Sequence, residues 1–394
     1  MEALPSPDAP GSRFASYLRE TRALVLDEIR RTVPSDSSHT GGLYELMLDY
    51  PLRGGKGLRP ALALATCGAL GGSRRGILPT AAVLELYHNA FLVHDDVEDG
   101  SERRRQEQTL HRMYGVPIAV NVGDGMLALS LTPLLANTAL LGVGRSLRIL
   151  QEIARMSRES AEGQMMELDW IRRVAFGLPD ASYIRMVFKK SAWYSFITPV
   201  AVGAIAAGAD SSRVTRLRRF AGLLGVAFQI QDDVLNLTGE ESSYGKEIGG
   251  DLWEGKHTLI LIHALRRASG AERERAGEIL RKCRERRGAG SLVRRDLVDT
   301  LEALAHEGSL GIGARDRLLR VVDAGDAGDR TLDDVRFLRD LIDRHASIDY
   351  AWREARRRAD RAARSLTELR GDLAPSEHLG FLEDLVGYVV TRDR

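Results

Sequence analysis

Apolar residues recur at three- and four-residue spacing from about Phe14 to the end of the chain, and alternating runs bounded by hairpin turns are hard to find. That periodicity lays one apolar stripe along a helix and denies a pleated strand a consistent buried face. The chain is therefore expected to be all-α. Residue usage agrees: Ala, Leu, Arg and Glu are abundant while Phe, Trp and Tyr make up 6%, a balance that favours helix over sheet.

Glycine and proline mark the ends of one helix. Pro79 fits a first turn, Gly71 and Gly72 break the chain before it, and Gly100 closes it, in keeping with proline at helix starts and glycine just past helix ends. The 394 residues are ample for a large core, although length alone leaves the domain count open. Residues 1–15 are expected to form a flexible tail, since Met1 to Ser12 is rich in Pro, Ser and Asp and lacks the basic start and apolar run of a secretory signal. Residues 16–394 are expected to form a single helical domain with an insertion near 284–330, where Arg, Gly and Asp are frequent and apolar spacing is irregular. Gly125 to Gly144 is uncharged and reaches membrane-spanning length. Ser130, Thr132, Pro133, Asn137 and Thr138 interrupt it, so a buried core helix is expected there and no transmembrane segment.

The 56 Lys and Arg balance 55 Asp and Glu for a net charge of +1, which gives no global field to attract nucleic acid or an anionic membrane. Any anion site must be local. The basic run Arg356, Arg357, Arg358 and Arg361 is read as a solvated helix face and not a nucleic-acid patch. Cys67 and Cys283 are too few for a disulfide framework or a cysteine metal site, which fits a reducing cytoplasm.

Asp95, Asp96, Val97, Glu98 and Asp99 form the sharpest local feature. Spacing of i and i+4 puts Asp95 and Asp99 on one helix face, where they repel unless cations bind. Asp232, Asp233 and Asn236 repeat the spacing with an amide in third place, inside an apolar helical stretch. Either cluster alone is equally compatible with a solvated helix end. Together they read as opposite walls of one cavity, and oxygen-only ligands of this kind suit Mg²⁺, completed by waters and substrate phosphates. Lys56 and Arg59 in a Gly-rich stretch, Arg104 and Arg105 after the first cluster, and Lys246 and Lys256 after the second add the fixed cations of a diphosphate site.

These residues resemble the trans-isoprenyl diphosphate synthase, or polyprenyl synthetase, family. The likeness runs from Gly54-Gly55-Lys56-Gly57-Leu58-Arg59-Pro60 through His88, the first cluster with Arg104-Arg105, Gly123-Asp124, Gly163-Gln164, Lys190-Ser191 and Phe228-Gln229 to the second cluster. It continues in Gly245-Lys246, Gly250-Asp251-Leu252 and Gly255-Lys256-His257-Thr258. The resemblance implies an isoprenoid synthase-type helical bundle around a deep central cavity, homodimeric, joining isopentenyl diphosphate to an allylic diphosphate with three Mg²⁺ ions. It assigns Asp95, Asp96, Asp99 and Asp232 to the metals, supported by Asp233 and Asn236, and Arg104, Lys190, Lys246 and Lys256 to the allylic diphosphate. Lys56, Arg59, His88 and Arg105 match the positions that hold isopentenyl diphosphate, while Gln229 and the Lys190-Ser191 backbone would moderate a carbocation. Gln164 is equally well read as a buried glutamine satisfying helix carbonyls.

Asn236 stands where most of the family has Asp, Gln106 and Gln108 replace a usual Gly and Pro, and Ser191 replaces Thr. Phe91 and Tyr87, one and two turns before Asp95, are candidates for the floor of the product tunnel. Ala90, where farnesyl-forming relatives of the animal type carry an aromatic, points to a longer product. Geranylgeranyl diphosphate is the expected product, farnesyl diphosphate the alternative. A class I terpene cyclase shares the acidic clusters without the second diphosphate pocket, and a non-catalytic synthase subunit usually loses one cluster.

Overall fold

The computed structural model describes residues 12–35, 39–239, 249–282, 297, 300–311, 313–318 and 330–391. Its helices are α1 (Arg13–Thr32), α2 (Leu43–Leu52), α3 (Leu58–Ala69), α4 (Arg74–Glu98), α5 (Leu110–Tyr114), α6 (Val116–Leu129), α7 (Leu131–Leu141) and α8 (Val143–Arg173). They continue with α9 (Asp180–Val187), a π-helical segment Phe188–Ile197, α10 (Thr198–Ala206), α11 (Ser211–Thr238), α12 (Gly250–Glu254), α13 (Leu259–Arg267) and α14 (Gly270–Arg281). The last are α15 (Leu332–Arg344), α16 (Ser347–Leu369) and α17 (Glu377–Thr391).

The all-α expectation holds, with one small addition. Between α4 and α5 two short strands, β1 (Arg103–Arg104) and β2 (Glu107–Gln108), pair antiparallel. The turn residues Arg105 and Gln106 both have positive φ, 54° and 70°, the twist that a two-residue hairpin requires and that glycine or asparagine usually supplies. Two residues per strand carry no readable alternation.

α3, α4, α10, α11 and the π-helical segment form the centre, with α8 and α16 packed against it. The last helix closes on the first: Phe14 of α1 stacks on Phe381 of α17 at 5.1 Å and meets Tyr388 at 4.9 Å. α1 begins at Arg13, capped by the Ser12 hydroxyl, so it overlaps the expected tail of residues 1–15, and Phe14 belongs to the core. Residues 1–11 of that tail, and most of the expected 284–330 insertion, fall outside the described residues.

Two sequence expectations need correction. Pro79 is the sixth residue of α4, not part of its first turn. The carbonyl that its missing N–H leaves unpaired belongs to exposed Arg75, so water can satisfy it and the helix runs on. The uncharged stretch Gly125–Gly144 is not a buried core helix. It spans the end of α6, α7 and the start of α8, with Leu135 62% and Val143 63% exposed beside Leu131, Leu140 and Leu147. Among the described residues two stretches are long and apolar enough to cross a membrane, the largely buried Arg74–Glu98 and this one, Val116–Leu141, 39% buried over its most apolar part.

Candidate functional site

A cavity of about 510 Å³ lies between the C-terminal end of α4, α8, the π-helical segment and α11. Asp95 and Glu98 line one wall, Asp232, Asp233 and Asp251 the opposite one, with Arg104, Lys190 and Lys256 among them. Asp95 and Asp232, the leading acids of the two clusters, therefore face one space, whereas their i+4 partners Asp99 and Asn236 lie outside the cavity lining. Lys256 Nζ bonds Asp99 Oδ2 at 2.6 Å, and Lys190 Nζ lies 3.6 Å from Asp95 Oδ1 while pairing with Glu167.

Lys190 reaches this position because two local features cooperate. The π-helical segment widens the turn that carries it, a distortion common at functional sites. Gly163 on α8 lets that segment approach so closely that a Cβ there would stand 2.2 Å from the Lys190 backbone nitrogen. Burial disfavours the Lys190 charge, but Glu167 and Asp95 more than compensate and hold the ammonium protonated. Burial pushes the Asp99 carboxyl up to about 7 against the pull of Lys256, and lifts Asp233 well above the carboxylate range.

A second, smaller cavity of about 110 Å³ adjoins the first and shares Arg59, His88, Arg105, Ser195 and Phe228 with it. Lys56 and Glu85 complete its charged lining. Lys56 Nζ bonds the Tyr388 hydroxyl of α17 at 2.6 Å, and Arg59 Nη2 bonds Ser195 Oγ at 2.8 Å while lying over the Tyr194 ring. The positive φ of Arg105 turns its side chain back over α2, where Nη1 bonds the Tyr50 carbonyl. Burial, then Arg59, Arg105 and Arg104, keep His88 neutral. Among the described residues His88 Nδ1 and Arg59 Nε are buried without a hydrogen-bond partner. The Arg59 Nε–H is thus a buried donor left open beside Lys56 and Arg105, which describes an anion pocket.

The sequence pattern that defines polyprenyl synthetases matches residues 42–293. The chain belongs to the polyprenyl synthetase family. It is 34% identical over 227 residues, 58% of this chain and 68% of the relative, to a short chain isoprenyl diphosphate synthase of Methanothermobacter thermautotrophicus. To a geranylgeranyl pyrophosphate synthase of Geoglobus acetivorans it is 32% identical, over 67% of this chain and 80% of the relative. Its fold matches the crystal structure of a Caulobacter crescentus polyprenyl synthase, complexed with calcium and isoprenyl diphosphate, with TM-score 0.73 and 28% identity over 96% of this chain and 97% of that one. The isoprenoid synthase-type bundle inferred from the motifs is thus the fold of this polyprenyl synthetase.

Not every expected site residue of this polyprenyl synthetase reaches the cavities. Asp96 is 0% exposed and points away: it accepts from Arg104 and, at 2.7 Å, from the Tyr50 hydroxyl. Its geometry is that of a support for Arg104, not of a metal ligand. Asn236 is also withdrawn, its Oδ1 accepting from the Asp251 backbone N–H at 3.1 Å, so it holds the first turn of α12. Asp233 lines the cavity but is held by Tyr183 at 2.5 Å and Gln229 at 2.9 Å. Gln164 bonds Glu98 at 2.5 Å, and not helix carbonyls. Phe91 lines the main cavity, packed edge-on to Tyr194 at 5.5 Å. Tyr87 sits behind Phe91 at 5.9 Å and Ala90 packs into the cluster of Met47, Val93 and Val122, so neither lines the cavity. Lys246 lies outside the described residues.

Three acids stand in the site without having been assigned to it, the first being Glu98, which lines the wall beside Asp95. Asp251 lines the second wall although its signal was present in the Gly250-Asp251-Leu252 motif, and Glu167, three residues after Gln164 on the same face of α8, pairs with Lys190.

Among the described residues no three acidic or histidine side chains already converge into a metal-chelating group. Lys190 pairs with Asp95 and Glu167 and Lys256 with Asp99, while Tyr183 and Gln229 hold Asp233 and Gln164 holds Glu98. The donor set still fits a hard divalent cation, because Asp95 and Glu98 on one wall face Asp232, Asp233 and Asp251 on the other and all of them offer oxygen.

Proposed function

We propose that this chain joins an allylic diphosphate to isopentenyl diphosphate and releases a linear trans-prenyl diphosphate, chiefly geranylgeranyl diphosphate. The observation that carries the reading is the adjoining pair of cavities: one acidic on both walls with lysines between, one basic, sharing Arg59, His88 and Arg105. A cyclase that ionises one prenyl diphosphate has no use for the second, basic pocket. A non-catalytic subunit has no use for two intact acidic walls.

Asp95, Asp99, Asp232 and Asp251 would hold Mg²⁺, expected as three ions on family grounds, and the bound metal would neutralise charge on the leaving diphosphate. Arg104, Lys190 and Lys256 add fixed positive charge beside the same group, and such preorganised charge is commonly the largest catalytic term. The allylic C–O bond breaks with its electron pair on diphosphate. The isopentenyl double bond then attacks the allylic carbon, and a proton from the new cation passes to the departed diphosphate. Gln229 is placed by Asp233 to face the cation without a nucleophilic atom that would trap it.

Arg59→Ala should raise the KM for isopentenyl diphosphate about tenfold to a hundredfold, the worth of one or two charged hydrogen bonds, and leave the KM for the allylic substrate nearly unchanged. Equal changes in both constants would place Arg59 outside the second subsite.

For product length, support comes from the geranylgeranyl-forming relatives and from Phe91 on the cavity wall; Ala90 lends none, because it faces the neighbouring helices. Farnesyl diphosphate remains the alternative. Phe91→Ala should shift the main product upward by at least one isoprene unit, read as the mass of the dephosphorylated alcohol, and Tyr87→Ala should do less. Unchanged products from an active Phe91→Ala enzyme would reject Phe91 as the floor.

The exposed apolar residues Leu131, Leu135, Leu140, Val143 and Leu147 of α7 and α8 support a homodimer, since contiguous apolar surface commonly meets a partner. We assign the chain to the cytoplasm and regard residues 16–394, together with the start of α1, as one domain, whose larger buried cluster draws residues from Phe14 to Val389, with the 284–330 segment inserted.

A further inference from the structure

Arg330 lies at the end of the 284–330 segment, beyond the residues matched by the family pattern. It is 3% exposed. Its guanidinium donates to five backbone carbonyls: Leu252 at 2.8 Å and Trp253 at the end of α12, and Ile279, Leu280 and Lys282, at 3.3, 3.3 and 3.0 Å, at the end of α14. The last carbonyls of a helix have no partner inside it, and a cation beside them is favoured by the helix dipole. One planar group therefore ties two helix ends together.

α12 carries Asp251, and Lys256 follows it by two residues, its N–H bonded to the Asp251 carbonyl at 2.9 Å. Gly255, immediately before Lys256, has φ +74°, and a Cβ there would stand 2.9 Å from Arg330 Nη2. The guanidinium thus packs directly against the backbone that aims Lys256 at Asp99. Arg330 is itself fixed by its neighbours. Thr331 and Asp334 form a reciprocal capping box at the start of α15, and Lys282 reaches the same Asp334 at 2.8 Å.

We infer that Arg330 is a positioning residue for the allylic-diphosphate side of the cavity, holding the backbone of residues 251–256 so that Asp251 and Lys256 face Asp95 and Asp99. This role rests on the diphosphate coupling proposed above.

The test compares Arg330→Met and Arg330→Lys with the wild type in three readouts: steady-state constants for both substrates, the Mg²⁺ concentration giving half-maximal rate, and amide exchange by segment. Arg330→Met should lower kcat about 10²-fold, as a ~1 Å misplacement of reacting groups does, and raise the Mg²⁺ requirement. The KM for isopentenyl diphosphate should stay unchanged, because Lys56, Arg59, His88 and Arg105 stand on other elements. Amides of 251–256 should exchange faster while those of α4 do not, and Arg330→Lys, which keeps the charge with fewer donors, should recover part of kcat.

Unchanged kinetics, or loss spread equally over both substrates with faster exchange throughout the chain, would overturn the positioning role. If Arg330→Met does not fold, Arg330→Lys carries the same comparison. If the wild type itself couples nothing, the proposed function falls, while exchange at 251–256 still decides whether Arg330 holds that backbone.

Discussion

Asp95→Asn is expected to lower kcat by about 10²- to 10³-fold, the loss found when one preorganised group at a developing charge is removed, with the fold intact. Asp95 lines the cavity near Lys190 and Arg104. Neither cation is stranded by its loss, because Lys190 keeps Glu167 and Arg104 keeps Asp96. The enzyme should therefore melt at nearly the wild-type temperature and bind isopentenyl diphosphate normally, while turnover and Mg²⁺ dependence suffer. An Asp95→Asn enzyme that retains more than about a tenth of its kcat would remove Asp95 from the electrostatic machinery, since even a weak oxyanion-type contact is worth more than that.

Asp96→Ala should behave in the opposite way, although the two aspartates are adjacent in sequence. Asp96 is fully buried, bonded by Arg104 and by the Tyr50 hydroxyl. Burial and then the neighbouring Asp96 charge hold the Tyr50 phenol protonated, well above its ordinary range. Removing the carboxylate leaves the buried guanidinium with only the longer 3.7 Å pairing to Asp95 among the described residues and takes the acceptor from the buried Tyr50 O–H. Breaking a buried pair by deleting one partner costs about 3–5 kcal/mol, measurable as a lower midpoint in chemical denaturation with unchanged slope. Wild-type stability combined with a raised Mg²⁺ requirement would instead make Asp96 a metal ligand, as the family motif implies.

That pair of aspartates shows where sequence reasoning reaches and where it stops. Helical periodicity was legible from Phe14 onward because each long helix buries one stripe, and the two acidic faces were legible because i, i+4 spacing has one geometric meaning on a helix. The same rule puts Asp96 on a different face from Asp95 and Asp99, but what covers that face is tertiary. Here it is Tyr50 of α2 and Arg104 of the hairpin, 46 and 8 residues away in sequence. The metal-supporting role that the resemblance gives Asn236 fails for the same reason, since its amide is engaged by the Asp251 backbone.

The uncharged stretch from Gly125 to Gly144 was misjudged because apolarity records a preference for burial and not the identity of the neighbour. Arg330 carried no signal of its own: an arginine at the end of an Arg-rich, irregular segment looks solvated until two helix ends are folded against it. By contrast, the polar lining of the basic pocket, three cations and a neutral histidine, was legible from motif order. Lys56, Arg59, His88 and Arg105 come from α3 and its preceding loop, α4 and the hairpin turn, and the fold gathers all four around one small cavity.

The most direct test of diphosphate coupling incubates the purified chain with Mg²⁺, isopentenyl diphosphate and, separately, dimethylallyl, geranyl or farnesyl diphosphate, and identifies the dephosphorylated products by mass and retention time. Linear prenyl alcohols that require both substrates, with geranylgeraniol dominant, are expected. A cyclic hydrocarbon formed without isopentenyl diphosphate, or no condensation product from any of the three starters, would contradict the coupling reaction.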